Sequence, residues 1–123
     1  MRRFPRFREI TKLKKLTDAR ELAAMVELTA IEAERKAAEI DLLALQNQNH
    51  NAKSIDELVI VEKWSLWRED EMRRRATVLA AVTAKHKIAA MRCGRLIAES
   101  SVLKEIGSQA RAHEAKQRQK RST

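Results

Sequence analysis

The chain has 123 residues, room for one domain, and 35% of them are charged while only 3% are aromatic. Its only Gly and Pro are Pro5, Gly94 and Gly107, so residues 6 to 93 contain neither turn former; this excludes a sheet-based domain and leaves long helices. The formal charge of +9 sits at the ends, with seven Lys/Arg and one Glu in residues 1–15 and five Lys/Arg and one Glu in residues 107–123. Such ends suit an acidic protein surface, an anionic lipid surface or nucleic acid. A hydrophobic share of 44% is too high for a disordered chain outside the tails.

The first predicted helix covers about residues 8–46. Ala19, Leu22, Val26, Thr29, Ala33, Ile40 and Leu43 recur at three- and four-residue steps, interrupted only at Lys36. A second stripe, Ala24, Leu28, Ile31, Ala38, Leu42 and Leu45, widens the apolar face. From Asp18 to Asp41 there are seven acids against Arg20, Arg35 and Lys36.

Residues 47–54 are polar and Asn-rich, the composition of a turn. Ser54 and Glu57 stand at capping-box spacing and predict the start of a second helix. It is expected to run from Ile55 to about Ala110, with Leu58, Val61, Met72, Leu79, Val82, His86, Ala89, Cys93, Leu96, Leu103 and Ala110 on one stripe, followed by a basic tail over 111–123. Between Arg73 and Arg95 this helix carries seven Lys/Arg and no acid. An acidic helix followed by a basic one favours antiparallel pairing. The fold class is therefore all-α: two long helices in an antiparallel coiled-coil hairpin over residues 1–115, with basic, partly disordered ends.

If residues 47–54 form a tight turn centred near residue 50, residue i faces residue 101 − i, so Leu22 meets Leu79 and Arg8 meets Cys93. The second helix then overhangs the first by some four turns, and Leu96, Ile97, Val102, Leu103 and Ile106 need either the N-terminal arm or another protein to cover them. On that register Leu103→Glu or Ile106→Glu leaves helicity intact and abolishes partner binding. Gly94 and Gly107 are read chiefly as tolerated helical glycines.

Catalysis finds little support. Cys93 and His86 are seven residues apart, ~10 Å along a helix axis and beyond hydrogen-bond reach, so both are read as seam residues. No His has a second ligand at metal-site spacing, and the two glycines cannot build a phosphate loop, so no catalytic residue, metal or cofactor is expected. The longest apolar run, Val78 to Val82, is too short to span a membrane or to serve as a secretory h-region, and a cytoplasmic address is expected. Trp64 and Trp67 share one helical face near the turn; they either pack against residues 33–38 or form an interface hot spot. Arg73, Arg74 and Arg75 and the tail from Lys116 to Arg121 are candidate phosphate contacts, but stacking aromatics are missing from both. Partner binding is therefore assigned to Trp64, Trp67, Leu96, Val102, Leu103, Ile106, Arg73, Arg74 and Arg75.

The basic start Arg8-Glu9-Ile10-Thr11-Lys12-Leu13-Lys14-Lys15-Leu16, the Ala/Glu-rich helix, the polar turn, the Trp-bearing second helix and the basic tail together resemble the FliJ/YscO-type coiled-coil proteins of flagellar and type III export. The segments Met91-Arg92-Cys93-Gly94-Arg95-Leu96 and Leu103-Lys104-Glu105-Ile106 are similar to the second helix of short members. The resemblance implies a non-enzymatic antiparallel stalk, similar to the shaft of rotary ATPases, that engages a hexameric export ATPase and the export gate, peripheral to a membrane-embedded complex. A nucleic-acid-binding helical protein and a homodimerising coiled-coil scaffold are the alternatives.

Overall fold

In the computed structural model, which describes residues 5–122, two helices, α1 (Phe7–Gln46) and α2 (Ile55–Ser122), pack against each other in antiparallel directions. Both starts are capped by side-chain oxygens, a carboxylate at α1 and a hydroxyl at α2. The Phe7 amide donates to Oε1 of Glu114 at 3.1 Å, and the Glu57 amide donates to Oγ of Ser54 at 3.2 Å. The Glu57 carboxylate reaches back to the Lys53 amide at 2.7 Å, one residue earlier than a reciprocal capping box requires. At the far end, α2 continues to Ser122, past the end expected near Ala110, with Lys120 and Arg121 in its last turn where the helix dipole favours cations. Much of the basic tail is thus helical.

The chain divides into two compact units, Met1–Leu28 with Ala89–Thr123 (unit 1) and Thr29–Ile88 (unit 2). In unit 1 the α1 side of the seam is Ile10, Lys14, Thr17, Glu21, Ala24 and Leu28, at alternating steps of four and three residues. It meets Ala89, Cys93, Leu96, Ser100, Leu103, Gly107 and Ala110 of α2. Ala110 is fully buried, and a methyl group built on Gly107 would lie 3.4 Å from Cγ2 of Ile10. Small residues on α2 thus let the two backbones come close. In unit 2 the seam is Ile31, Arg35, Ala38, Leu42 and Leu45 against Arg68, Met72, Arg75, Leu79, Val82 and His86. Its longer, partly charged side chains bury only Ile31 and Leu45 below a tenth of their surface.

The seam on α1 is therefore the stripe expected only to widen its apolar face. The stripe expected to lead the packing, Leu22, Val26, Ile40 and Leu43, is exposed, with Ile40 at 64%. The two stripes differ by two residues, about 200° around a helix of ~3.6 residues per turn, and so lie on opposite sides. One partner helix covers only one of them.

The pairing register also departs from expectation. Asp18 accepts from Ser100, Glu27 pairs with Arg92, His86 meets Glu32, Arg75 donates to the Asp41 carbonyl and Arg68 to the Leu45 carbonyl. Paired numbers sum to between 113 (45 with 68) and 119 (27 with 92) rather than 101. The cause is the connection. Residues 47–54 do not form a tight turn; they run beside the first turns of α2, with His50 edge-on to Trp64 at 4.4 Å between ring centroids. Extended chain advances ~3.3 Å per residue and helix ~1.5 Å, so eight connecting residues can run alongside up to about eighteen helical ones, ample for the thirteen from Ile55 to Arg68. Gln46 therefore ends level with Arg68 rather than Ile55.

The four-turn overhang disappears with that register. The Phe7–Glu114 bond places α1 alongside α2 beyond Ala110, and Leu96, Leu103 and Ile106 are half-buried in unit 1 rather than unpartnered; Ile97 and Val102 are exposed.

Candidate functional site

The uncovered stretch lies at the other end of α2. Residues 55–67 precede the level at which α1 ends, and only the connecting segment flanks them. Ile55, Ile60, Leu66 and Trp67 are exposed, Ile55 at 82%, and Leu58 and Val59 are close to half exposed. A helix apolar on most of its sides is ordinarily buried. Over residues 53–68 the acids Asp56, Glu57 and Glu62 equal Lys53, Lys63 and Arg68, so the surface is apolar with a balanced charged rim.

Trp64 anchors this end. Its ring takes the edge of His50 on one side and the Arg68 guanidinium 5.5 Å from its centroid on another. The same guanidinium donates from Nε to the Leu45 carbonyl at 3.1 Å and from Nη2 to the Gln46 carbonyl, satisfying two acceptors that the end of α1 leaves without intrahelical partners. Beside it, His50, Lys53, Glu57, Ile60, Val61 and Trp64 line an open cavity of about 440 Å³. The two tryptophans thus divide: Trp64 is half-buried under the connecting segment, not against residues 33–38, and Trp67 is half exposed.

The three arginines divide as well. Arg75 is half-buried and donates to the Asp41 carbonyl at 2.9 Å and to Glu71 at 3.3 Å, so it joins the two helices. Arg73 and Arg74 point to solvent with long contacts to Asp70 (3.9 Å) and Glu71 (3.8 Å). Of the remaining expected partner residues, Val102 is exposed on unit 1, while Leu96, Leu103 and Ile106 belong to its packing.

Titratable groups cluster at one further place in unit 2. Arg35 binds both oxygens of Glu32, at 2.6 and 3.2 Å, and Nε2 of His86 lies 2.7 Å from Glu32. The Arg35 hydrogen bond holds the Glu32 carboxyl below its ordinary value and in turn raises the Arg35 guanidinium. Cys93, expected with His86 as a seam residue, is buried in the seam of unit 1. Among the described residues no group of three His, Cys, Asp or Glu could hold a metal ion, and no helix is long and apolar enough to cross a membrane.

His50, Ile60, Leu66 and Arg68 were not singled out from the sequence. For Arg68 a signal existed: it stands on the seven-residue repeat of Arg75, Val82, Ala89, Leu96 and Leu103. The role of His50 depends on the path of the connection, which no local pattern encodes. No family model, curated protein or solved structure matches this chain.

Proposed function

We propose that this chain is a non-enzymatic coiled-coil stalk of a flagellar or type III protein export apparatus, engaging an export ATPase ring and an export-gate protein, and acting peripherally at a membrane-embedded complex from its cytoplasmic side. One observation carries the reading that it works by binding protein: residues 55–67 of α2 expose Ile55, Ile60, Leu66 and Trp67 where α1 no longer covers them. Exposed large apolar residues around an aromatic anchor are the composition of a binding hot spot. The antiparallel helix pair and the resemblance to FliJ/YscO-type proteins support the narrower assignment.

The test is capture of partners from nuclease-treated extract of the source cells, comparing the native chain with a Leu66→Glu/Trp67→Glu variant and identifying the proteins by mass spectrometry. A ring ATPase or export-gate protein retained by the native chain and lost from the variant is the expected result. Recovery of neither sinks the assignment.

Nucleic-acid binding has an observation of its own. At the end of unit 1, Arg6, His113, Arg118 and Arg121 line a cleft of about 380 Å³ with Glu114, and Arg8, Lys12, Arg111 and Lys116 lie nearby in sequence. In that reading affinity for duplex or single-stranded nucleic acid falls steeply with salt, and removing residues 111–123 reduces the slope.

A further inference from the structure

Within unit 2, α1 carries a second apolar face opposite its seam. Ile40 is 64% exposed and Leu43 47%, and exposed Ala30, Ala33, Ala37 and Ala44 complete the strip around them. Lys36 is the one charge inside it, on a stem able to lie along apolar surface. At ~100° per residue, Glu34 and Asp41 border this face on one side and Glu39 on the other, where Glu32 is turned to Arg35 and His86. A surface helix normally turns its polar side outward, so an apolar strip with two acidic edges is a face built for a partner.

The chemistry of that partner follows from the edges: a helix with a flat apolar strip and basic borders. The same unit holds such a helix. The outer face of α2 between residues 77 and 88 shows Thr77, Ala80, Ala81, Ala84 and Ile88, the last 62% exposed, with Arg73 on the same line one turn before Thr77. Arg74 and Lys85 border it on one side and Lys87 on the other, and no acid occurs from 72 to 98. The α1 face carries the large side chains Ile40 and Leu43 and the α2 face mainly alanines, and the charges at their edges are opposite. The ion pair of Lys85 with Glu34, at 3.7 Å, is exposed and cheap to exchange, and Glu39, at 3.5 Å from half-buried Arg35, keeps about half of its own side chain exposed.

We propose that this chain self-associates, the outer face of α1 in unit 2 of one copy docking on the outer face of α2 in unit 2 of the next. The contact is heterologous, because the two surfaces differ. Each copy therefore keeps one free face of each kind, and association continues into rings or open chains instead of stopping at a two-fold dimer. The inference is independent of the export assignment.

Sedimentation of the purified full chain from micromolar to millimolar concentration tests it, at low and high salt. The expected result is a mass that climbs beyond twice 14.1 kDa with concentration and recedes with salt. Ile40→Glu blocks the α1 face and Ala84→Glu the α2 face. Each variant alone should stay monomeric with unchanged helicity and melting, since both positions are exposed in the isolated chain. Mixed, the two retain one complementary pair of faces and should form a one-to-one heterodimer that grows no further. A native chain that stays monomeric throughout, a native mass that stops at two copies, or two variants that fail to pair on mixing overturns the proposal.

Discussion

Units 1 and 2 solve the same problem, joining one stretch of α1 to one of α2, by different chemistry. Unit 1 uses small residues: Ala24, Ala89, Cys93, Gly107 and Ala110 are buried, and Ile10 fills the space over Gly107. Unit 2 uses larger side chains and guanidinium bridges, Arg68 and Arg75 each donating across the pair to carbonyls of α1. Close approach draws its stability from dispersion between backbones and short side chains and tolerates no added volume. Bridging satisfies carbonyls of the facing helix and depends on a few large apolar anchors. The lesson is that a single heptad pattern accommodates both, and the residues at the repeat decide which.

Four experiments sharpen that contrast. The largest effect belongs to Leu45, 1% exposed and the largest fully buried side chain. Leu45→Ala should cost about 2–5 kcal/mol, and residue-resolved hydrogen exchange should show the loss first among the amides of residues 29–88. Uniform loss across both units would mean that they do not open separately.

Overpacking is the matching test of unit 1. Ala110→Leu, at a position with no exposed surface, should cost about 1–3 kcal/mol in urea denaturation, because the close seam has no room for three more carbons. An unchanged midpoint would show that the seam yields easily.

Gly94 gives the opposite sign. Nothing lies within 4 Å of a methyl group built there, so Gly94→Ala should stabilise by about 0.8–1 kcal/mol through helix propensity alone. Gly107→Ala should gain less, since its methyl meets Ile10 at 3.4 Å. Equal gains at both glycines would argue against the close approach in unit 1.

The smallest effect is electrostatic. Glu32 in unit 2 and Asp18 in unit 1 both titrate below their ordinary carboxyl values, Glu32 through its hydrogen bond to Arg35 and Asp18 through those from Lys14 and Ser100. A carboxyl lowered by folding contributes stability that is present above its unfolded value and lost as pH falls through the folded one. Stability should therefore decline as pH drops below about 4.5 for Glu32 and 3.8 for Asp18, and the Glu32 part should vanish in Glu32→Gln. Carboxyl titration by NMR in the two variants Glu32→Gln and Asp18→Asn separates the contributions.

Much of this was legible in the residues. The lack of Gly and Pro over 6–93, the Ser54 cap and the stripe from Leu79 through Ala89, Cys93 and Leu103 to Ala110 give two helices and the buried face of the second. The first helix was ambiguous because two stripes of similar hydrophobicity run along opposite sides, and hydrophobicity alone does not rank them. The Leu103→Glu substitution changes meaning accordingly: with Leu103 half-buried, it becomes a packing defect in unit 1 and not a silent loss of binding. At the candidate site, Trp64 and Trp67 were visible as a pair, but their separation into one covered and one exposed ring was not.

The sequence by itself determined helix number, helix boundaries at the connection and antiparallel charge pairing, because propensity, capping and charge act over a few residues. Only the tertiary structure decided the register, the seam of α1 and the location of the uncovered surface. The register and the uncovered surface depend on the path of residues 47–54. Extended backbone covers about twice the distance of helix per residue, so their course moved the pairing and shifted the uncovered surface from the end of α2 to its beginning.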